Sequence, residues 1–333
     1  MKKVLSLILA LAMVFALAAC GEKQPSNDGN TDGDKSARGN VIMTFGTADT
    51  GGSMYPAGAA VSQVWTNNVE GVKCNTQTST GSFQNCQDVS TGEVDVAVAT
   101  SDVVLNAYNG TGKFADIGKL DNLRVIGAVY TSVLSGVTLK SSGLTYIHDL
   151  LGKRVAVGPA ASATENATLA AFGVMGIDSS NTSLENLGLG DGADSVGDGI
   201  LDAAFGFAGL PIGGQLNLAA TKEIQVLDMT QEEIDKVLAG NAAYIQTKIP
   251  AGTYTGQDSD ANTFGVKCLI IVTADMDADL VYDLCKAMNE HTEEMAAGNA
   301  LLKDMTDPSF LCTQMPIPLH DGAQKYYSEQ GLI

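Results

Sequence analysis

Short β-branched and aromatic runs alternate along the chain with segments whose apolar residues recur at helical spacing. Val41-Ile42-Met43-Thr44-Phe45-Gly46, Val72 to Thr76 and Val94-Asp95-Val96-Ala97-Val98-Ala99 are runs of the first kind and predict strands. Between them, Met54, Ala57, Val61, Val64 and Trp65 form one stripe of a helix over about 54–68, and Phe83, Cys86 and Val89 one face of a helix over 82–91. Ser101 and Asp102 are suited to cap a helix after the third strand. This β-α-β-α-β-α order predicts a parallel sheet covered by helices on both faces.

A second alternating block follows. Arg154-Val155-Ala156-Val157 predicts a strand, and Ser162 and Thr164 open a helix to Met175. Residues 182–187, 203–207 and 224–228 are further strands with helices between them. Leu123 to Val133 and Phe264 to Thr273 are long extended segments. A helix from Asp277 to about Ala297 carries Val281, Leu284, Met288 and Met295 on one stripe, and a short helix covers 322–330. The second block is inserted into the first. The expected division is lobe I from 41–130 plus 260–333 and lobe II from 131–259, two Rossmann-like α/β units joined by hinge strands. A cleft between such lobes is a default ligand site.

The N-terminus reads differently. Lys2 and Lys3 precede an apolar run, Val4 to Ala19, too short for a membrane span of roughly 20 residues but suited to a secretory signal. Leu17-Ala18-Ala19-Cys20-Gly21 resembles a bacterial lipobox, in which cleavage precedes the cysteine and its thiol is acylated. Residues 1–19 are therefore expected to be a lipoprotein signal peptide and Cys20 a lipidation site. Residues 20–40 are Gly-, Asn-, Asp-, Ser- and Lys-rich and read as a lipid-anchored tether, which at about 5–6 Å × √n spans roughly 25 Å. The expected location is extracytoplasmic, with the body held near the cell membrane by its lipid.

Charge narrows the function. The 333 residues carry 19 Lys and Arg against 38 Asp and Glu, a net charge of −19. That excludes a phosphate-backbone binder and a polybasic membrane-surface protein. The three arginines, Arg38, Arg124 and Arg154, lie in the tether or at strand starts, where structural ion pairs are expected. Enzyme chemistry finds little support: His148, His291 and His320 lie in no metal spacing, and the chain has neither a GxSxG elbow nor a GxxxxGK[ST] loop. No metal or cofactor is expected. The acidic stretch from Asp191 to Asp198 lacks calcium-loop spacing and reads as a solvated helix face. Five cysteines follow Cys20, an odd number: Cys74, Cys86, Cys268, Cys285 and Cys312. Buried free thiols are the plainer reading, and Cys74 with Cys86 is the pair to test first for a disulfide.

The turns carry the candidate chemistry. Thr50-Gly51-Gly52-Ser53, Thr80-Gly81-Ser82 and Ala161-Ser162-Ala163-Thr164-Glu165 each lie between a strand and a helix, where unpaired N–H groups and hydroxyls favour small anions. The run from Gly46 to Gly58, GTADTGGSMYPAG, resembles the opening motif of the TAXI group, the extracytoplasmic solute receptors of TRAP transporters. The likeness continues in order through Thr80-Gly81-Ser82 with Asn85, Gly92 to Ala97, Ser101-Asp102, Gly152 to Gly158, Asp202 to Phe205, Ala208 to Pro211, Ile249 to Tyr254, and Leu319 to Ala323 with Tyr326-Tyr327.

The resemblance implies a two-lobe type II periplasmic-binding-protein fold that traps a small solute, glutamate-like or a dicarboxylate. It implies that this solute is handed to a TRAP membrane permease for ion-gradient-driven uptake. The chain itself is expected to be a monomer. Its ligand region falls on Thr50, Gly51, Gly52, Ser53, Tyr55, Thr80, Gly81, Ser82, Asn85, Ser101 and Asp102. In the second lobe it falls on Ser162, Thr164, Glu165, Phe207, Ala208 and Gly209. Met54 stands where an aromatic is usual, and Asp49 puts an acid in a loop that is usually neutral, which favours an amino acid over a plain dicarboxylate. A binding lipoprotein serving a sensor kinase or another transporter class would read alike. An exported hydrolase using Ser53 or Ser101 would need a histidine within reach of the serine.

Overall fold

The computed structural model describes residues 39–333. The expected signal peptide 1–19, the expected lipidation site Cys20 and the expected tether as far as Arg38 lie outside the described residues. The first block runs β1 (Val41–Gly46), α1 (Met54–Asn68), β2 (Val72–Gln77), α2 (Ser82–Thr91), β3 (Val96–Thr100), α3 (Ser101–Asn109) and β4 (Leu123–Leu139). The second runs β5 (Arg154–Ala156), α4 (Ala163–Val174), β6 (Ser183–Glu185), α5 (Leu189–Gly197), β7 (Ala203–Ala208), α6 (Gly213–Thr221), β8 (Ile224–Val226), α7 (Gln231–Gly240) and β9 (Ile245–Ile249). The chain then returns along β10 (Ala261–Thr273) to α8 (Ala278–Glu290), α9 (Thr292–Gly298), α10 (Pro308–Cys312) and α11 (Asp321–Glu329).

One continuous sheet runs in the order β2-β1-β3-β10-β4-β7-β5-β6, with β8 added to β4 and β9 to β10. It has an internal likeness. β2-β1-β3 and β6-β5-β7 are each parallel trios. Each trio is closed by one long antiparallel strand, β10 against β3 and β4 against β7. β4 and β10 also pair with each other from Leu123–Thr273 to Val133–Gly265, with register shifts beside Cys268 and Ile270. These two strands carry the chain between the halves of a two-lobe α/β fold.

Residue chemistry explains the elements. Val96 to Thr100 and Ala203 to Ala208 are buried at every position, as expected of inner strands covered on both faces, although each has one parallel and one antiparallel neighbour, so the sheet is mixed and not purely parallel as the β-α alternation predicts. Pro56 is tolerated in α1 because it falls in the first turn, where the N–H has no helical partner. Thr230 and Glu233 form a reciprocal capping box on α7. In the first half, Trp65 stacks on Phe45 at 5.5 Å and donates its indole N–H to Leu284 O at 3.0 Å, fixing α1 and α8 on the same sheet face.

The structure departs from the sequence expectations in places. The long helix expected over 277–297 is two helices, because His291 leaves helical geometry between α8 and α9. β9, largely exposed and rich in Gln, Thr and Lys, has too weak a pattern to read as a strand. All five described cysteines are free and buried, so Cys74 and Cys86 are not joined. Asp191, Asp194 and Asp198 are exposed on and just beyond α5. Arg154 pairs with Asp202 at 3.0 Å, whereas Arg124 donates to the carbonyls of Asp121 and Leu123. Among the described residues no helix is long and apolar enough to cross a membrane.

Candidate functional site

The carboxyl ends of the parallel strands in both halves face a common cavity of about 40 Å³. The β1–α1 turn lines it with Ala48, Asp49, Gly52, Ser53 and Met54, and the β2–α2 turn with Thr80, Gly81 and Ser82. The other half supplies Pro159, Ser162, Ala163 and Thr164 before and at the start of α4, Leu189 at the start of α5, and Phe207 and Ala208 at the end of β7. Tyr130, on β4 between the halves, completes the wall. The crevice thus lies where open parallel sheets bind ligands.

Four helices begin at this wall. The starts of α1, α2 and α5 have no side-chain cap, leaving first-turn N–H groups without a side-chain acceptor. Aligned peptide dipoles give each such end a partial positive charge. Gly81 has φ +112°, a left-handed conformation that a side chain rarely adopts. A Cβ there would point at Ser162 of the other half, 3.8 Å away.

The hydroxyls add oriented donors. Ser82 Oγ accepts from Thr100 N at 3.0 Å, Ser162 Oγ from Glu165 N at 3.1 Å, and Thr164 Oγ1 from Phe207 N at 3.1 Å. In each case a backbone N–H occupies the oxygen, and the hydroxyl proton is left to donate elsewhere. Ser53 donates to Gly209 O at 3.0 Å across the halves, and Thr80 donates to Gln84. Asp49 is the one charged side chain among the described residues of the wall. It is exposed at the rim, its Oδ1 accepting from Gly51 N at 2.7 Å. The site therefore offers neutral donors and dipoles inside and one carboxylate at its edge.

Of the residues expected from sequence, Gly52, Ser53, Thr80, Gly81, Ser82, Ser162, Thr164, Phe207 and Ala208 line the cavity. Thr50, Gly51, Tyr55, Asn85, Ser101, Asp102, Glu165 and Gly209 do not. Gly51 sits where the halves meet, a Cβ on it falling 3.7 Å from Gly190 N. Asn85 is a buried stitch, donating to Thr47 O and Val98 O at 2.6 Å each. Gly209 is packed so tightly that a Cβ would fall 1.8 Å from Leu301 Cδ1. Glu165 pairs with Lys113 and accepts from Ala161 N and Asn186. Burial pushes its carboxyl up, but Lys113, Asn186 and Ala161 outweigh this and hold it below the ordinary range. Asp102 is fully buried and bonded to Asn166 and Tyr244 of the other half.

Sequence reasoning missed Tyr130, Pro159 and Leu189 as wall residues. Leu189 opens a helix directly after a strand, so the strand-to-helix rule could have found it. Tyr130 lies within a long extended run and has no such signal. None of the three histidines lies on the wall. His148 contacts Glu233, His291 contacts Glu294, and His320 caps α11. Neither Ser53 nor Ser101 has the partner a nucleophilic serine requires.

Residues 45–331 match the model of the NMT1-like family. The chain belongs to the NMT1-like family. Among solved structures, this NMT1-like chain is similar to the alkanesulfonate-binding protein SsuA from Xanthomonas axonopodis pv. citri bound to MOPS. The two are 14% identical, over 88% of this chain and 85% of that one, with a TM-score of 0.51. An ancestral arginine-binding protein bound to arginine matches at 11% identity over 82% of this chain and 98% of that one, with a TM-score of 0.48. The first of these shares the two-lobe periplasmic-binding-protein fold, so this NMT1-like chain resembles extracytoplasmic solute-binding proteins in architecture.

Proposed function

We propose that this NMT1-like chain is an extracytoplasmic solute receptor of the TAXI type. It captures a small organic anion or amino acid between its lobes and delivers it to a TRAP membrane permease. Residues 41–130 with 260–333 move as one lobe and residues 131–259 as the other, with β4 and β10 as hinges. Acylated Cys20 holds the receptor at the membrane. The ordered motifs from GTADTGGSMYPAG to Leu319-His320-Asp321-Gly322-Ala323 support the transporter class.

One observation carries the ligand reading. The cavity is lined from both lobes by helix starts and by hydroxyls with unused protons, and none of the described residues lining it is cationic. Such a wall suits one carboxylate on neutral donors. A second negative charge would meet no cation, and at the rim it would meet Asp49. An ammonium there would be favoured. An amino acid with one free carboxylate inside is thus the best fit, ahead of a dicarboxylate.

Titration calorimetry with glutamate, glutamine, 2-oxoglutarate and succinate tests this. Micromolar affinity for an amino acid, about −8 kcal/mol, is the expected result, with the dicarboxylates weaker. Silence across the panel overturns the ligand class. Release of a Cys20→Ser form from the membrane fraction tests the anchor. Uptake by a co-reconstituted TRAP permease only in the presence of this receptor tests delivery.

A further inference from the structure

Asp102 belongs to a motif that the TAXI resemblance assigns to the ligand, yet it does not line the cavity. It lies in the first turn of α3 with no exposed surface. Its Oδ2 accepts from Asn166 Nδ2 at 2.8 Å and from the Tyr244 hydroxyl at 3.1 Å. Asn166 is on α4, and Tyr244 precedes β9. Both partners belong to the lobe opposite Asp102. Its Oδ1 is buried and meets no donor in good hydrogen-bond geometry. These bonds join the two halves, and a separation of the halves that broke them would return the carboxyl to water.

Among the described residues no cationic side chain is bonded to this carboxyl. The titratable groups facing it are the Tyr244 phenol, the Cys86 thiol of α2 and the Cys268 thiol of β10. All three are neutral near pH 7, because burial pushes each of them up. Glu165, on the same helix as Asn166, is already paired with Lys113 of Asp102's own lobe. An unpaired buried carboxylate is strongly disfavoured, and such a group takes a proton instead.

We infer that Asp102 is a closure latch, a positioning residue that couples the shutting of the two lobes to the uptake of one proton from solvent. The inference rests on the two-lobe receptor reading. In an open molecule the carboxyl is wet and titrates in the ordinary range, at about 4. In the closed molecule burial pushes it up, and the donors of Thr100, Val103, Tyr244 and Asn166 offset only part of this. The sign follows by linkage. The closed form holds the proton more tightly, so closure strengthens as pH falls and weakens as pH rises above the open-state value. A receptor of this kind grips harder where the medium outside is acid.

The test uses the receptor body labelled with a dye pair at Lys73→Cys and Lys222→Cys, both exposed and in opposite halves. Dye separation is read by single-molecule energy transfer from pH 5 to 8, with and without L-glutamate, beside glutamate affinity by calorimetry. In the unmutated body, closed fraction and affinity should fall with rising pH, by up to about tenfold per unit at the steepest. Asp102→Asn keeps an acceptor for Tyr244 and Asn166 but cannot titrate, so its profile should be flat. Tyr244→Phe should keep the pH slope but lower the closed fraction at every pH. A shared profile for the Asp102→Asn and unmutated proteins overturns the latch, as does a Tyr244→Phe closed fraction equal to that of the unmutated protein. If no solute of the panel binds, the ligand reading fails alone, because the solute-free dye separation still reports the latch. A separation that ignores pH overturns it.

Discussion

Thr164→Val is the sharpest probe of the cavity wall. Thr164 is buried, and its Oγ1 accepts from Phe207 N at 3.1 Å. Its methyl packs beneath Gly158, where an added Cβ would fall 2.5 Å from Thr164 Cγ2. Valine keeps that shape and removes only the oxygen. The Phe207 N–H then loses its acceptor in a dry site, at a cost of about 1–3 kcal/mol. For the 295 described residues, unfolding entropy near 2.1 cal/mol/K per residue gives about 0.6 kcal/mol/K, so Tm should drop by about 2–5 °C. A hydroxyl donated to a ligand carboxylate is worth about 1.5–3 kcal/mol, or roughly a 10- to 150-fold weaker Kd. Calorimetry with the best-binding amino acid and differential scanning separate the two effects, and Thr164→Ser should restore most of both. A lower Tm with unchanged affinity would show that this hydroxyl serves only the fold. Absence of both changes would refute the assignment of the Oγ1 lone pair to Phe207 and of the proton to the cavity.

Ala161 holds φ +59° beside Ser162, a conformation that costs an L-residue roughly 1–2 kcal/mol. Ala161→Gly relieves this but adds about 0.4–1 kcal/mol of unfolded-state freedom. Tm should hold or rise slightly, and a clear drop would place the strain elsewhere. Asp202 is held below the ordinary carboxylate range by the Arg154 guanidinium. Its stabilisation is therefore present above its unfolded value of about 3.9 and is lost as pH falls through the lower folded value. Asp202→Asn should melt lower than the unmutated chain at pH 7, with the gap closing on acidification, and a gap independent of pH would refute the ion-pair origin. Burial pushes the Cys74 thiol up to about 11 and Cys268 up to about 12. An aromatic disulfide reagent should find none of the five body cysteines in the native protein and all five after unfolding. A native disulfide would leave two of them silent.

What was legible in the sequence is local. Val94 to Ala99 followed by Ser101 is a strand meeting a helix start, and the structure places β3 and α3 there. The extended runs at 123–133 and 263–273 lie within β4 and β10, the strands that pass between the halves. The glycine and hydroxyl turns at 50–53, 80–82 and 161–165 mark helix starts, and the 3.6 period that follows each one is a short-range signal. Contacts across the cavity leave no such trace. Asp102 meets Asn166 and Tyr244 at separations of 64 and 142 residues, which no periodicity encodes. Tyr130 reaches the wall because β4 crosses between the halves there, and its sequence neighbours say only that it is in a strand. Glu165 looks like a ligand group by its place in the third turn, but Lys113, far away in sequence, claims it.

The distribution of donors between the lobes sets how such a receptor can work. The first lobe offers the α1 and α2 starts with Ser82, and the second offers the α4 and α5 starts with Ser162 and Thr164. A solute resting on the first set alone binds the open and shut forms equally, and a ligand with equal affinity for two states shifts neither. Only a solute that spans both sets favours closure. Length along the cavity, from an inner carboxylate to an amine near Asp49, therefore matters more than total charge. A fragment such as acetate, carrying the anionic end alone, would occupy one lobe's donors and leave the molecule open. Glycine would satisfy the donors and Asp49 only if the two lie within its short reach. A graded series from glycine to glutamate, read for closure as well as for heat, would measure that distance. Closure that did not depend on chain length would contradict the division of donors between the lobes.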